Sequence, residues 1–386
     1  MFELKDSILI DNTVDVKAVG IGDGGCISLN RLINMGLNNV DFIAMNTDAQ
    51  GLLKSLAPRR LQIGQKVTRG LGAGSHMEIG EQAAKESHDD ILEVLGQPDM
   101  VFIIAGLGGG TGSGAVPMVA SLAKNAGALT VAIVTLPFSI EGTFRKKRAE
   151  ESLAKLKECA DAVVVINNDR LLSLEKNTKD SNSNFDTVDQ IIAEVIQGIV
   201  NLIAEPGLIC LDFSDVSLIL KDAGAATVGV GTGTGEKAAM EAMEKAAAFT
   251  LFDESINDAK SIIINITGSD EKLSMYEVNE AVDVINKMTS GNVNIIWGVS
   301  VDNNLGDTVK ATVIASGFDA SENTGGMLSG KKENNIESRL YKQMVETCVK
   351  KMQDSATTVA ESIDLMRELR VMLKEISEKN LETHEW

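Results

Sequence analysis

Between residues 105 and 114 the chain reads Ala-Gly-Leu-Gly-Gly-Gly-Thr-Gly-Ser-Gly, and no other stretch limits its possible folds as strongly. Six of the nine residues from Gly106 to Gly114 are glycine. Such a backbone takes positive φ readily and comes close to a ligand. Ahead of it, Met100 to Ile104 is a β-branched and aromatic run of strand length. Behind it, Ala115 to Ala126 reads as an apolar helix. A strand that turns through glycines into a helix start presents free N–H groups and the positive end of the helix dipole, an arrangement that binds phosphate. Thr111 and Ser113 add hydroxyl groups. A glycine-rich hairpin or linker is the alternative, and it would sit among polar sequence rather than between a buried-type strand and a helix. The P-loop pattern GxxxxGK[ST] does not occur in the chain.

The run Gly108-Gly109-Gly110-Thr111-Gly112-Ser113-Gly114 resembles the signature loop of the tubulin/FtsZ family, a far more specific pattern than one GxGxxG. The similarity to FtsZ extends from about Val16 to Phe318, with matching segments in the family's order. It implies an α/β fold: a Rossmann-like parallel-sheet GTPase domain, a long central helix and a second α+β domain, followed here by a helical C-terminal extension. The expected boundaries are 1–184 for the nucleotide-binding domain, 185–224 for the central helix and catalytic loop, and 225–318 for the second domain. A linker over 319–335 and a helical tail over 336–386 complete the chain.

Composition agrees. A chain of 386 residues, 44% hydrophobic, is long enough for two or three cored domains. No apolar run reaches membrane-spanning length and the first residues carry no signal-like core, so a soluble, cytoplasmic protein without membrane insertion is expected. Four scattered cysteines without a CxxC pair point to reduced thiols, and three histidines are too few for a metal cluster. A net charge of −19 argues against nucleic acid or an acidic membrane as direct partner. An acidic chain must hold a polyphosphate through local backbone dipoles, which the glycine loops supply.

In order, Val16 to Val19 reads as a first strand, and Gly20 to Cys26 as a glycine turn before a helix from Ile27 to Met35. Alone this is a weak dinucleotide-binding signal. The resemblance places Gly22, Asp23, Gly24, Gly25 and Cys26 at the phosphates, with two departures: Asp23 replaces a glycine and Cys26 an asparagine. A carboxylate beside a diphosphate is repulsive unless it points outward or meets a magnesium ion. A thiol is a poorer hydrogen-bonding group than an amide. Asn46-Thr47-Asp48-Ala49-Gln50 matches the family's NTDAQ segment, which puts Asn46 and Asp48 near the phosphates and Asp48 at the metal; a helix cap is the other reading for Asp48. Gly70 to Gly74 matches the GLGAG loop, implying that Gly72, Ala73 and Gly74 meet the terminal phosphate.

Glu141 and Arg145, four apart in a segment like PFxxEGxxR, share a helix face. They read either as a surface ion pair or, by resemblance, as ribose and phosphate contacts. Asn168 matches the asparagine of the family's guanine-reading PND motif, with Asn167 in place of the proline. Strands alternating with helices from 16 to 166 predict a parallel sheet covered on both faces. From Phe185 to Ala204, isoleucines and valines recur every three to four residues, the pattern of a largely buried helix. By resemblance Phe185 stacks on the base and Asp189 accepts from guanine N1 and N2; an exposed helix-start Asp is the alternative. After Pro206-Gly207, Asp212 and Asp215 flank Phe213 in a segment like PGLxNxDFAD. The family's loop acts on the neighbouring subunit's nucleotide, so both carry over as catalytic residues. Cys210 stands where the family has asparagine.

The second domain is expected to hold strands at 226–230, 262–266, 293–299 and 308–315, with helices at 236–251 and 275–288. Its glycine run, Gly229 to Gly235, reads as a structural turn. In the tail, Ile336, Leu340, Met344, Cys348 and Met352 form one helical stripe, and Val359, Ile363, Met366, Leu369, Leu373 and Ile376 another. Such stripes need a covering surface.

The resemblance thus implies a GTPase that polymerises head to tail, serving cell division, with GTP or GDP, Mg²⁺ and a monovalent cation as candidate ligands. Its partners would be other copies of itself and membrane-anchoring or regulatory proteins. A GTP-binding scaffold with little turnover is the second reading, supported by Asp23, Cys26 and Cys210. A nicotinamide dehydrogenase would rest on the first glycine turn alone.

Overall fold

The structure is a computed structural model and describes residues 14–169, 183–204, 209, 211–248, 259–270, 273–289 and 293–318; of 183–187 and 204 it describes the backbone alone. The expectations for Cys210, the side chain of Phe185, the linker 319–335 and the tail 336–386 lie outside the described residues.

The first part of the chain alternates strands with helices, with three helices between β3 and β4. It runs β1 (Val16–Ile21), α1 (Gly22–Asn34), β2 (Asp41–Asn46), α2 (Ala49–Leu53), β3 (Arg59–Gln62), α3 (Gln65–Thr68), α4 (Met77–Glu86), α5 (His88–Leu95) and β4 (Met100–Gly106). Then come α6 (Thr111–Asn125), β5 (Leu129–Leu136), α7 (Thr143–Cys159) and β6 (Ala162–Asn167). Strands β1, β4 and β5 are buried almost throughout. Strands apolar on both faces must be covered on both, and helical crossovers then make the neighbours parallel. The order β3-β2-β1-β4-β5-β6 is parallel at every pairing. Alternate residues feed opposite cores: Ala18, Phe102 and Ile104 one, Val19, Ile21 and Ile103 the other.

Lys17 interrupts the apolar pattern of β1 without leaving the core. Its buried ammonium donates to the Leu95 carbonyl at 2.7 Å, satisfying an orphan group at the end of α5.

The long helix α8 (Ser183–Ala204) buries Val188, Ile191, Ile192, Val195, Ile196, Ile199 and Val200, as its periodicity predicts. It leads to α9 (Phe213–Leu220), β7 (Gly224–Thr234), α10 (Ala238–Ala248), β8 (Ser261–Gly268), α11 (Met275–Met288), β9 (Asn294–Val301) and β10 (Thr308–Ser316). Strand β10 lies between β7 and β8, antiparallel to both, and β9 pairs parallel with β8. Helices α10 and α11 cover a separate apolar core. A short parallel ladder, Ala162–Gly224 to Val164–Ala226, joins β6 to β7, so the ten strands make one sheet.

Three local expectations change. Helix α1 begins at Gly22, not Ile27, so most of the first glycine turn is helix. Gly22 makes the bend itself at φ +72°. Helix α6 likewise begins at Thr111, with Gly110 as its N-cap, so Gly112 and Gly114 of the signature run lie in its first turn. The run Gly229 to Thr234 is strand rather than turn. A Cβ at Gly231 or Gly233 would fall within about 2.1 Å of carbonyls of α10, so these glycines let that helix lie against β7.

Candidate functional site

Chain order reverses on either side of β1, whose neighbours are β2 and β4, and a cleft forms there beyond the carboxyl ends of the strands, where open α/β sheets take ligands. It measures about 490 Å³. Ile21, Asn46, Gly106, Thr135 and Asn168 reach it from or just past the ends of five parallel strands.

Its floor is backbone. Helices α1 and α6 both start at the cleft, and neither has a side-chain cap, which leaves their first N–H groups free for a ligand. Gly22, Asp23, Gly24, Gly109, Gly110, Thr111 and Gly112 line it, with Gly72, Ala73 and Gly74 opposite. Glu141, Arg145 and Asn168 complete the wall.

Other expected residues stand behind that wall. Ser113 is buried, and its Oγ accepts the Gly108 N–H at 2.7 Å, so this hydroxyl braces the loop from inside. Gly25 and Cys26 lie under the cradle. The Cys26 thiol sits 3.6 Å from the Gly20 carbonyl and 3.8 Å from that of Met45, and burial, with Asp23 nearby, pushes its pKa up to about 12. Asp189 is buried rather than exposed at its helix start, and it forms an ion pair with Arg31 of α1. Asp212 is the exposed N-cap residue of α9, with Asp215 half-buried in its first turn; neither lines the cleft.

Asp48 is a helix cap that also stands at the cleft. Its Oδ1 accepts the Gln50 N–H at 2.9 Å, capping α2, while the residue also lines the cleft. Glu141 and Arg145 are ion-paired at 2.5 Å and line the cleft too. The other Glu141 oxygen accepts the Phe138 N–H at 2.9 Å. Asn168 is only 7% exposed, and its Oδ1 has no hydrogen-bond partner. A buried acceptor left unpaired costs about 1–3 kcal/mol, so this atom points to a donor on a ligand.

Residues not singled out from sequence tie the walls together. The hydroxyls of Thr47 and Thr111 lie 2.6 Å apart, and the Thr47 carbonyl accepts from Thr68 Oγ1 and the Gly72 N–H. Arg148 of α7 donates to the Ser75 carbonyl. Thr47 stands inside the NTDAQ segment, where a small hydroxyl residue amid phosphate-site groups was the available signal. Arg148 gave none, because its partner lies far off in sequence.

A larger cavity, about 710 Å³, lies between α8 and the β8–β10 strands; Gln197, Asn201, Asn265 and Thr312 are among its lining residues, and it has no glycine cradle. Among the described residues no helix is long and apolar enough to cross a membrane.

Comparison with known proteins agrees with the geometry. Residues 15–176 match the model of the tubulin/FtsZ family GTPase domain, and residues 224–319 that of the FtsZ family C-terminal domain. An FtsZ dimer from M. jannaschii is similar at 40% identity and TM-score 0.75, over 80% of this chain and 90% of that one. A GTPγS-bound CetZ2 protofilament from Haloferax volcanii is similar in fold, with 22% identity and TM-score 0.69 over 81% of this chain and 95% of that one. CetZ from Methanosaeta thermophila, at 19% identity and TM-score 0.67, matches 97% of this chain and 100% of that one.

Proposed function

Since this chain belongs to the tubulin/FtsZ family of cytoskeletal GTPases, we propose that it binds GTP and GDP in the cleft and polymerises head to tail, with hydrolysis completed by the neighbouring subunit's Asp212 and Asp215. Cell division is the process we assign to the filament. The observation that carries nucleotide binding is the pairing, in one cleft, of two uncapped helix starts with the unpartnered Asn168 Oδ1. Phosphates would take the N–H groups of the glycine turns, and the guanine exocyclic amine would donate to Asn168. Asp189 would read the base from α8.

The oxygen ligands of the cleft fit Mg²⁺, which binds through one or two carboxylates together with phosphate oxygens. Asp48 would hold it, and the ion would offset the charge of the phosphates. Self-association is supported by the dimer and protofilament forms of the similar FtsZ and CetZ2 structures. The placement of Asp212 outside the cleft supports a catalytic group delivered from another subunit.

The test is to add GTP and follow light scattering and phosphate release together. Scattering that rises with GTP and decays as phosphate appears is the expected result. Scattering without phosphate release would favour the slow scaffold, and the absence of both signals would overturn the proposal.

A further inference from the structure

Resting on that reading of the cleft, we propose that Asp23 makes nucleotide binding depend on a divalent cation, so that this chain takes its guanine nucleotide far more tightly as the magnesium complex than metal-free.

Among the described residues, four charged side chains line the cleft: Asp23, Asp48, Glu141 and Arg145. The one cation among them is already engaged, since Arg145 lies 2.5 Å from Glu141. These described side chains together carry more negative than positive charge, and a polyphosphate beside them is offset by the backbone dipoles of the glycine turns. Asp23 is the part of that charge that the family pattern lacks.

Its carboxylate is held in place. Asn46 Nδ2 donates to Asp23 Oδ1 at 2.8 Å, and Asn46 Oδ1 accepts the Asp48 N–H at 3.2 Å, so one amide, 1% exposed, sets both aspartates. The two carboxylates lie close together: a Cβ added at Gly51 would fall 2.9 Å from Asp23 Oδ1, 3.1 Å from Asn46 Nδ2 and 3.3 Å from Asp48 Oδ2. Like charges so placed repel each other and any phosphate beside them, while a hard divalent cation between carboxylate and phosphate oxygens reverses the sign. A separate observation shows that the cleft is built for a ligand: Asn168, more than nine-tenths buried, lines it with an unpartnered oxygen.

The experiment measures binding of fluorescent mant-GDP to the full-length protein, in magnesium and in excess EDTA, for wild type, Asp23→Gly and Asp23→Asn. Wild type should lose about tenfold or more in affinity on metal removal, equivalent to about 1.4 kcal/mol per tenfold. Both variants should lose no more than about threefold, and should bind metal-free mant-GDP more tightly than wild type does. Asp23→Asn is nearly isosteric and guards against a folding defect at the glycine substitution. Equal wild-type affinity with and without magnesium would overturn the proposal, as would variants that keep the full dependence, which would assign it to Asp48 alone. Absence of binding in every condition would overturn the nucleotide reading of the cleft itself.

Discussion

Asp189 is buried: its side chain is 4% exposed, and Arg31, which pairs with it, is 32% exposed. Burying a carboxylate without a partner is costly, and a guanidinium from α1 offsets that cost before any ligand arrives. Guanine offers one carboxylate its adjacent N1–H and N2–H donors, whereas adenine presents an acceptor at N1, so an Asp that reads the base confers preference as well as affinity. We expect GTP to compete with mant-GDP far more effectively than ATP, and Asp189→Ala to lower the GTP-over-ATP ratio about tenfold or more, since leaving a buried polar group unpaired costs about 1–3 kcal/mol. The fold should survive, because the half-exposed Arg31 can rehydrate. An unchanged ratio in competition binding would remove Asp189 from base recognition. At this scale the sequence shows which residue types are present and where they stand in a motif: Asn168 and Asp48 were legible from their segments. What each atom does was not legible where it depends on packing. Ser113 reads equally well as a ligand donor, and only the approach of Gly108 shows its oxygen turned inward. The pairing of Asp189 with Arg31 joins helices that no local pattern connects.

Helix α6 shows how a helix accommodates an internal proline. Pro117 lies inside it and has no N–H, so the Ser113 carbonyl one turn earlier loses its helical donor. The buried hydroxyl of Ser152, on α7, donates to that carbonyl at 2.7 Å and takes the missing donor's place. Ser152→Ala should therefore destabilise the protein by about 1–3 kcal/mol, the cost of an orphaned buried acceptor. Pro117→Ala restores a backbone N–H, so the double variant should recover part of that loss. Denaturant melts of the two single variants and the pair give the coupling energy, and simple additivity would refute the account. Elements of this protein were largely readable because their periodicities are strong: β10 and α11 fall where the apolar patterns put them. Helix starts were less readable. Glycine counts against a helix by propensity, yet Gly25 stands in the first turn of one here because a Cβ at that site would come within 2.2 Å of the Ile104 carbonyl. Close packing against β4 outweighed the roughly 1 kcal/mol cost of a helical glycine.

Across the whole molecule, the ten-stranded sheet sets the glycine cleft at the strand ends around β1 and β4, while α9 begins elsewhere with Asp212 exposed at its cap. The parallel half was legible because buried strands alternate with helices in sequence. The ladder from β6 to β7 was not, because three residue pairs at a strand start leave no mark on composition. The separation of cleft and Asp212 yields a test of catalysis between subunits. A carboxylate that acts on its own subunit's nucleotide must reach it, and removal then affects each molecule separately. A carboxylate that acts on the next subunit's nucleotide leaves binding alone and removes turnover only where it lines the shared interface. Asp212→Ala should accordingly bind GTP within about twofold of wild type, an energy difference of less than 1 kcal/mol, and release essentially no phosphate. Its cleft remains intact and can be served by another protomer's Asp212. Mixed with a variant that keeps Asp212 but cannot bind nucleotide through the Gly108–Gly114 loop, it should regain phosphate release, with a maximum near equal proportions. Weakened GTP binding by Asp212→Ala alone, or mixtures as inactive as their parents, would place the catalytic group within the same subunit.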